Sequence, residues 1–196
     1  TTIEPLIIKT RNAAVNLRRA NDKQIKNVLL QMADALEQHS AAILKANQKD
    51  VEKQDPANPR VDRLLLNGQR IQGIANAIRK ISRLPNPSGK TIEKRTLENG
   101  LQLQKLTVPL GVVGAIYESR PNVTFDIAAL CLRSQNGCVL KGSSEADNTN
   151  QAAIKLIKKV LKDNAIDPDC VTLLPSERET VQELFTATKY VDVLIP

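Results

Sequence analysis

The segment 109–145 constrains the fold more than any other part of the chain. An apolar run at 110–117 ends in the polar turn 118–122. A helix-like stretch then leads to a second apolar run, 138–140, which ends in the polar residues 141–145. The order is strand, turn, helix, strand. In open parallel sheets, ligands bind in the crevice outside the carboxyl ends of the strands. Polar residues crowded after both strands therefore predict a binding site there.

The same alternation continues to residue 196. Strands are predicted near 111–117, 138–141, 171–174 and 191–195, and helices near 123–134, 147–163 and 177–186. Strands that alternate with helices imply right-handed crossovers and a parallel sheet.

The first 85 residues are predicted to be helical. One helix covers residues 5–20, and Asn21 caps a second whose apolar residues recur at intervals of three and four. Ser40 is expected to cap a third, which fails before the two prolines at 55–59. Asn67 begins a fourth, which ends at Pro85. The apolar stripes of these helices are interpreted as core faces.

Residues 91–97 and 101–108 resemble two strands joined at Asn99-Gly100. Asn-Gly is a strong hairpin signal because both residues tolerate positive φ. A projecting hairpin has edge strands that need cover. The sequence leaves two possibilities for that cover, an oligomer contact or packing on the same chain.

The composition limits the kinds of partner that the chain is expected to bind. The net charge of +7 favours an acidic partner, but two Tyr, two Phe and no Trp leave little for base stacking. An anionic small molecule such as a nucleotide cofactor fits better than nucleic acid. No apolar run approaches the ~20 residues of a membrane span. Three cysteines and one histidine indicate a reducing compartment, buried structural thiols rather than a reactive one, and no metal site.

Two polar clusters are candidate binding residues. Ser119, Arg120 and Asn122 would place hydroxyl, guanidinium and amide donors at a helix N-terminus, which suits an anion or an oxyanion; a simple capped turn is the alternative. After the second strand, Lys141 can meet a phosphate, Gly142 can let a ligand approach the backbone, and the serines and glutamate at 143–145 can bind ribose hydroxyls.

The glycines of Gly111-Val-Val-Gly114 do not form a dinucleotide fingerprint, which requires GxGxxG between strand and helix. They match the spacing of an RNA-binding GxxG loop. Such a loop faces solvent, however, and here Val-Val lies inside an apolar run. They are interpreted as marking a tightly packed strand.

Segments 109–150, 171–175 and 189–196 closely resemble the gamma-glutamyl phosphate reductase family of the aldehyde dehydrogenase superfamily, and so do 46–51 and 62–64. The resemblance implies NADPH-dependent reduction of L-glutamyl 5-phosphate to L-glutamate 5-semialdehyde with phosphate release, in proline biosynthesis. The superfamily mechanism uses a cysteine thiolate, which splits one difficult step into two easier ones.

The resemblance also implies roles for individual residues. The superfamily's oxyanion-binding Asn falls at Asn122 or at Arg120; Asn122 is favoured as the catalytic oxyanion donor and Arg120 as the binder of the substrate anion. Lys141 matches the superfamily's lysine at the adenosine ribose or its 2′-phosphate. The remaining predicted cofactor-binding residues are Ser119, Ser143, Ser144, Glu145 and Ser176.

The chain departs from the family in length and in its cysteines. The family's catalytic cysteine lies in a downstream motif that is missing here, and none of Cys131, Cys138 and Cys170 takes its place. The prediction is therefore a fragment, inactive alone, from a cytoplasmic enzyme that forms homo-oligomers when complete. Its parts would be helices (1–90), a hairpin arm (91–108) and a truncated NADPH-binding α/β part (109–196), without the catalytic domain.

The predicted fold class is α/β, with N-terminal helices packed on an incomplete Rossmann-like sheet of aldehyde dehydrogenase type. Two other functions stay open: a non-catalytic α/β nucleotide-binding module, and nucleic-acid binding through a basic face.

Overall fold

The computed structural model describes residues 2–196. Its helices are α1 Glu4–Leu17, α2 Asp22–Gln38, α3 Ser40–Val51, α4 Val61–Leu64, α5 Gly68–Arg83, α6 Pro121–Arg133, α7 Asp147–Asp163 and α8 Glu179–Thr186. Its strands are β1 Thr91–Thr96, β2 Gln102–Leu106, β3 Val112–Ile116, β4 Gly137–Lys141, β5 Val171–Leu173 and β6 Val193–Ile195. Short 3-10 turns at Ser144–Ala146 and Pro168–Cys170 precede α7 and β5.

The main sheet has four parallel strands in the order β5-β4-β3-β6. In register, Val113 lies between Cys138 of β4 and Val193 of β6. Helices α6 and α7 carry the chain outward from β3 to β5, and α8 returns it to the other side of β3. This is the order of the first four strands of a dinucleotide-binding sheet, and the direction of winding reverses between β3 and β6. The predicted α/β fold is confirmed.

Two apolar clusters cover the two faces of the sheet. The larger one joins α6 and α7 to β3 and β4, and extends outward to α2, α3 and α5, as shown by the fully buried Met32, Ile78 and Leu132. The smaller one packs α1 and α8 on the opposite face through Ile7, Val139, Leu184 and their neighbours. Among the N-terminal helices, α1 thus lies on the sheet, whereas α2, α3 and α5 form an outer layer.

A polar contact inside this packing ties α1 to the sheet. The hydroxyls of Thr10 and Thr172, both buried, are 2.8 Å apart. Thr10 also donates to the carbonyl of Leu6. Buried hydroxyls need such partners, because a desolvated donor without an acceptor destabilises the fold.

Two of the three predicted helix caps form. The side chains of Asn21 and Asn67 accept from the backbone N–H groups of Gln24 and Arg70, at 2.8 Å each, as predicted. The prediction for Ser40 was wrong: Ser40 is the first residue of α3 and its side chain makes no cap bond. His39 is the single residue between α2 and α3. Its carbonyl accepts from the N–H groups of Ala42 and Ile43 in the first turn of α3.

The hairpin forms as an antiparallel pair of β1 and β2. Its turn is closed by bonds between Leu97 and Leu101 and from the Gly100 N–H to the Leu97 carbonyl. Gly100 has φ +83°, whereas Asn99 does not use the positive φ that it tolerates. A three-residue loop ending in a left-handed glycine explains why. All residues of both strands are exposed, so residues 2–196 do not supply the cover considered for them.

The glycine pair at the start of β3 marks close packing, as expected. Gly111 has φ +130°, and a Cβ there would lie 2.1 Å from the carboxylate of Asp192. A Cβ on Gly114 would lie 2.9 Å from Leu194. The carboxylate of Asp192 accepts from the Val112 N–H at 2.8 Å and pairs with Arg11 at 3.0 Å. β3 can therefore lie against the segment that leads into β6.

Candidate functional site

Seven of the eight residues predicted for the site line one cleft at the carboxyl ends of the strands. This strand-end cleft has a volume of about 720 Å³. Its lining residues are Arg60, Arg63, Ile116, Tyr117, Glu118, Ser119, Arg120, Lys141, Ser143, Ser144, Glu145, Ser176, Glu177 and Arg178. Asn122, the eighth predicted residue, does not line it.

The parallel register brings these residues together. The N–H of Tyr117 donates to the carbonyl of Lys141 at 3.1 Å, and the N–H of Leu174 donates to the carbonyl of Leu140 at 2.8 Å. β3, β4 and β5 therefore end at the same level. The turns that follow them meet at one edge, as the sequence pattern predicted.

Lys141 is held rigidly in the wall of this cleft. Only 7% of it is exposed, and its Nζ donates to the carbonyls of Gly142 at 3.1 Å and Ser176 at 2.9 Å. Burial lowers the pKa of Lys141, and the nearby Glu177 partly opposes that effect. An ammonium group has three N–H donors. The third is therefore available to a ligand, while Ser176 contributes through its carbonyl oxygen.

The turns after β3 and β4 are joined by a hydrogen bond from the Ser119 hydroxyl to the Glu145 carboxylate. Ser143 caps the following 3-10 turn, because its hydroxyl accepts from the Glu145 N–H at 3.2 Å. Ser119 thus orients the carboxylate, and Ser143 holds the backbone of the same residue. An oriented carboxylate at the end of the second strand can accept hydrogen bonds from ribose hydroxyls.

The structure gives a different reason for a glycine at position 142 from the one expected. A Cβ at this position would lie 2.3 Å from the amide nitrogen of Asn150. Asn150 belongs to a buried chain of hydrogen bonds: Tyr117 and Thr124 are 2.8 Å apart, and Thr124 donates to Asn150 at 2.8 Å. Burial raises the pKa of Tyr117. The absent side chain makes room for this internal network rather than for a ligand, which corrects that interpretation.

Asn122 lines a second, neighbouring cleft between helices. This interhelical cleft has a volume of about 400 Å³ and is lined by Asp62, Arg63, Leu65, Leu66, Arg70, Gly73, Ile74, Ala77, Arg120, Pro121, Asn122 and Asp126. The side-chain amide of Asn122 donates to Asp126 at 3.1 Å, and burial raises the pKa of Asp126. Asn122 and Lys141 therefore lie in adjacent clefts rather than in a shared one.

Several lining residues were not predicted, chiefly Arg60, Arg63 and Arg178. Arg60 lies just before α4 and Arg63 lies within it, in a segment to which the sequence analysis assigned no binding role. Their spacing of three residues around an apolar stretch was an available signal. With them the strand-end cleft holds five cationic side chains against three carboxylates. The cleft is thus suited to an anionic ligand.

A buried carboxylate fixes the helix that follows this site. Asp50, fully buried in α3, accepts from the N–H groups of Asn148 at 3.1 Å and Thr149 at 2.7 Å. It also accepts from their side chains, at 2.6 Å each. In the same helix Asn47 bonds to the carbonyl of Leu64 and the N–H of Leu66. Segment 46–51 thus ties α3 to α7 and to the chain after α4.

The three thiols are all buried and free. Cys138 lies next to Cys131. The neighbouring thiol of Cys131, together with burial, raises the pKa of Cys138, and burial raises the pKa of Cys170 to about 12. Thiolates are the reactive form, so these cysteines are structural, as expected. Residues 2–196 contain no group of three or more His, Cys, Asp or Glu side chains placed for a metal ion. Within the same range, no helix has both the length and the apolarity to cross a bilayer.

In its fold, the chain is similar to one class of proteins, the aldehyde dehydrogenases. The structure of an NAD-dependent benzaldehyde dehydrogenase from Corynebacterium glutamicum matches 99% of this chain with a TM-score of 0.74. That match covers 40% of the dehydrogenase at 14% sequence identity, and it shows the fold alone.

Within that class the chain is homologous to the gamma-glutamyl phosphate reductases. It is 49% identical over 195 residues to the reductase of Pelodictyon phaeoclathratiforme, covering 100% of this chain and 47% of that protein. The crystal structure of the Thermotoga maritima reductase matches all of this chain with a TM-score of 0.95 and 33% identity, over 48% of its own length. The chain thus spans about half the length of the relatives it matches. No family model matches it.

Proposed function

We propose that the complete protein reduces L-glutamyl 5-phosphate to L-glutamate 5-semialdehyde with NADPH and releases phosphate, a step of proline biosynthesis in the cytoplasm. Homology to reductases of that name supports this proposal. The observation that carries it in this chain is the tethered ammonium of Lys141 at the strand ends, in a cleft with an excess of cations.

The strand-end cleft is assigned to the cofactor. Lys141 would meet the adenosine ribose or its 2′-phosphate with its free N–H. The carboxylate of Glu145, which accepts from the Ser119 hydroxyl, would also accept from ribose hydroxyls, with Ser143 and Ser144 beside it. Ser176 would line the adenine side. When bound, NADPH supplies the hydride.

The substrate is assigned to the side of Arg120 and Asn122. Arg120 would hold the substrate anion and Asn122 the oxyanion. The hydrogen bond from Asn122 to Asp126 keeps the amide in place, but the amide has a second N–H for such a ligand. No thiol of this chain lines either cleft, so the attacking cysteine would belong to polypeptide outside it. Alone, the chain would be inactive.

The division into helices (1–90), a hairpin arm (91–108) and an NADPH-binding part (109–196) is proposed on the same basis. The exposed hairpin supports a homo-oligomer, because its apolar side chains, such as Ile92 and Leu106, stay uncovered within the described chain. A nucleic-acid partner is not proposed.

Replacing Lys141 tests the assignment of the cofactor. In the complete protein, Lys141→Ala is expected to weaken NADPH binding about 10-fold or more and NADH binding much less, because only NADPH carries the 2′-phosphate. Lys162→Ala, an exposed lysine on α7, is the matched control and should leave both affinities unchanged. Equal losses for the two cofactors in Lys141→Ala would reject the contact. Isothermal titration with each cofactor measures the difference.

The burial of all three thiols favours one second candidate, a non-catalytic nucleotide-binding module. The two candidates differ in turnover. A complete protein that binds NADPH but does not form semialdehyde from L-glutamyl 5-phosphate would be the module.

A further inference from the structure

Two arginines lie where the two clefts meet. Arg63, from α4, and Arg120, from the turn after β3, are the residues that line both the strand-end cleft and the interhelical cleft. One is contributed by the N-terminal helices and the other by the sheet. The junction is therefore a place where two positive side chains, 57 positions apart in sequence, face the same space.

Both guanidinium groups have donors to spare. Within residues 2–196 the Arg120 side chain makes no hydrogen bond or ion pair, and it is exposed. Arg63 pairs with Glu118 at 3.5 Å across solvent, with 55% of its side chain exposed. A guanidinium carries five N–H donors. The exposed ion pair between Arg63 and Glu118 uses few of these donors and is weak. An anion that binds Arg63 more strongly can therefore displace Glu118.

The other cations nearby are differently placed. Arg70, in the interhelical cleft, is already engaged by the Asp62 carboxylate at 2.9 Å and the Leu65 carbonyl at 2.6 Å. Lys141 and Arg60 line the strand-end cleft but not the interhelical cleft. Only Arg63 and Arg120 can therefore serve a ligand that reaches from one cleft into the other.

We infer that Arg63 and Arg120 together bind the phosphate group of the acyl phosphate substrate at this junction. Guanidinium groups pair with phosphate oxygens through two parallel N–H bonds, so two of them can neutralise a dianion. The rest of the substrate would extend into the interhelical cleft, past the amide of Asn122. This inference rests on the proposed function, and it makes Arg63 a specificity-determining residue for a phosphorylated substrate.

Glu118 sets the strength of the site. Its carboxylate is 81% exposed and competes with phosphate for Arg63. Removing that charge should free Arg63 and also remove a repulsion toward the incoming anion. The site thus predicts opposite effects from two neighbouring substitutions, a signature that general destabilisation would not produce.

The reverse reaction of the complete enzyme isolates phosphate as a separate ligand. In that direction the aldehyde C–H bond breaks as its hydride passes to NADP⁺, an oxygen of inorganic phosphate bonds to the carbonyl carbon, and the phosphate proton is released to solvent. Arg63→Gln is expected to raise the KM for inorganic phosphate about 10-fold or more, with the KM for NADP⁺ within 2-fold of wild type. Glu118→Gln is expected to lower the phosphate KM by about 2- to 5-fold. Arg83→Gln is the matched control, because Arg83 is exposed on α5 and lines neither cleft, and its phosphate KM should stay unchanged.

Binding of inorganic phosphate, followed by isothermal titration on the same proteins, separates the inference from the proposed function. If the wild type shows no phosphate-dependent reduction of NADP⁺, the proposed function fails. Phosphate binding that is lost in Arg63→Gln and kept in Arg83→Gln would still support the junction site. Phosphate affinity that is unchanged in Arg63→Gln, or lost equally in Arg83→Gln, overturns it.

Discussion

Asp50→Ala tests whether the buried carboxylate of α3 holds α7 in place. In the native structure this carboxylate accepts four hydrogen bonds from Asn148 and Thr149, and no part of it is exposed. Alanine would remove every acceptor at once. Two backbone N–H groups, one hydroxyl and one amide would then lie at the start of α7 without partners.

The expected loss is large. A hydrogen bond to a charged group contributes about 1.5–3 kcal/mol, and such bonds in one network are not additive. Each buried donor that is left without a partner costs about 1–3 kcal/mol, and Asp50→Ala leaves two of them on the fully buried Thr149. We therefore expect Asp50→Ala to lower the free energy of unfolding by about 4 kcal/mol. Against a typical stability of 5–15 kcal/mol, this is a substantial fraction. For a chain of this size it corresponds to a fall in Tm of about 8–16 °C.

Urea unfolding followed by far-ultraviolet circular dichroism measures the free energy, and a thermal scan measures the Tm. Gln48→Ala is the matched control, because Gln48 lies on the same helix and bonds only to Glu52 on the surface. Its effect should stay within about 0.5 kcal/mol. If Asp50→Ala unfolds within 1 kcal/mol of the wild type, the carboxylate does not hold α7 and the reasoning is refuted.

Two further predictions concern a glycine and a carboxyl group. Gly142→Ala should lower the free energy of unfolding by about 1–3 kcal/mol, because its Cβ would overlap Asn150, a buried residue. Gly73→Ala on α5, where a Cβ meets nothing within 4 Å, should instead raise it by up to about 1 kcal/mol; urea unfolding would contradict the steric argument if the two shifts agreed in sign. Burial raises the pKa of Asp126, so the folded protein binds that proton more tightly than the unfolded chain, and stability is lost as the pH rises through the carboxyl range. Asp126→Asn should therefore raise the free energy of unfolding at pH 7, by less than about 1 kcal/mol, and leave it unchanged near pH 3; a gain of equal size at both pH values would reject the titration of Asp126 as its source.

Much of the architecture could be predicted because each signal is local. The apolar runs of β3 and β4 and the stripe of α2 bury their own residues, and the parallel register then brings the turns at 118–122 and 141–145 to one edge. Asn21 and Asn67 cap helices through bonds that span three residues. Such features depend on neighbours in sequence, which a single chain displays.

The features that the sequence did not show depend on partners far along the chain. Gly142 was interpreted as room for a ligand, but the atom it avoids belongs to Asn150, and that amide is placed by a helix packed behind the site. Arg63 reaches the cleft because α4 packs on α3, which its apolar neighbours did not reveal. Asn122 lies in the first turn of α6 and Lys141 ends β4, and the two line different clefts. A linear pattern does not show which cleft each of them lines.

The occupation of the first turn of α7 has a consequence for how a nucleotide could be recognised. Free amides at a helix start usually cradle pyrophosphate in dinucleotide folds. Here the side chain of Asp50 already saturates those of Asn148 and Thr149. Phosphate oxygens that approach this edge meet the ammonium of Lys141 and exposed guanidinium groups instead of these two amides. Recognition would then resemble a counterion exchange, and added electrolyte should weaken it steeply.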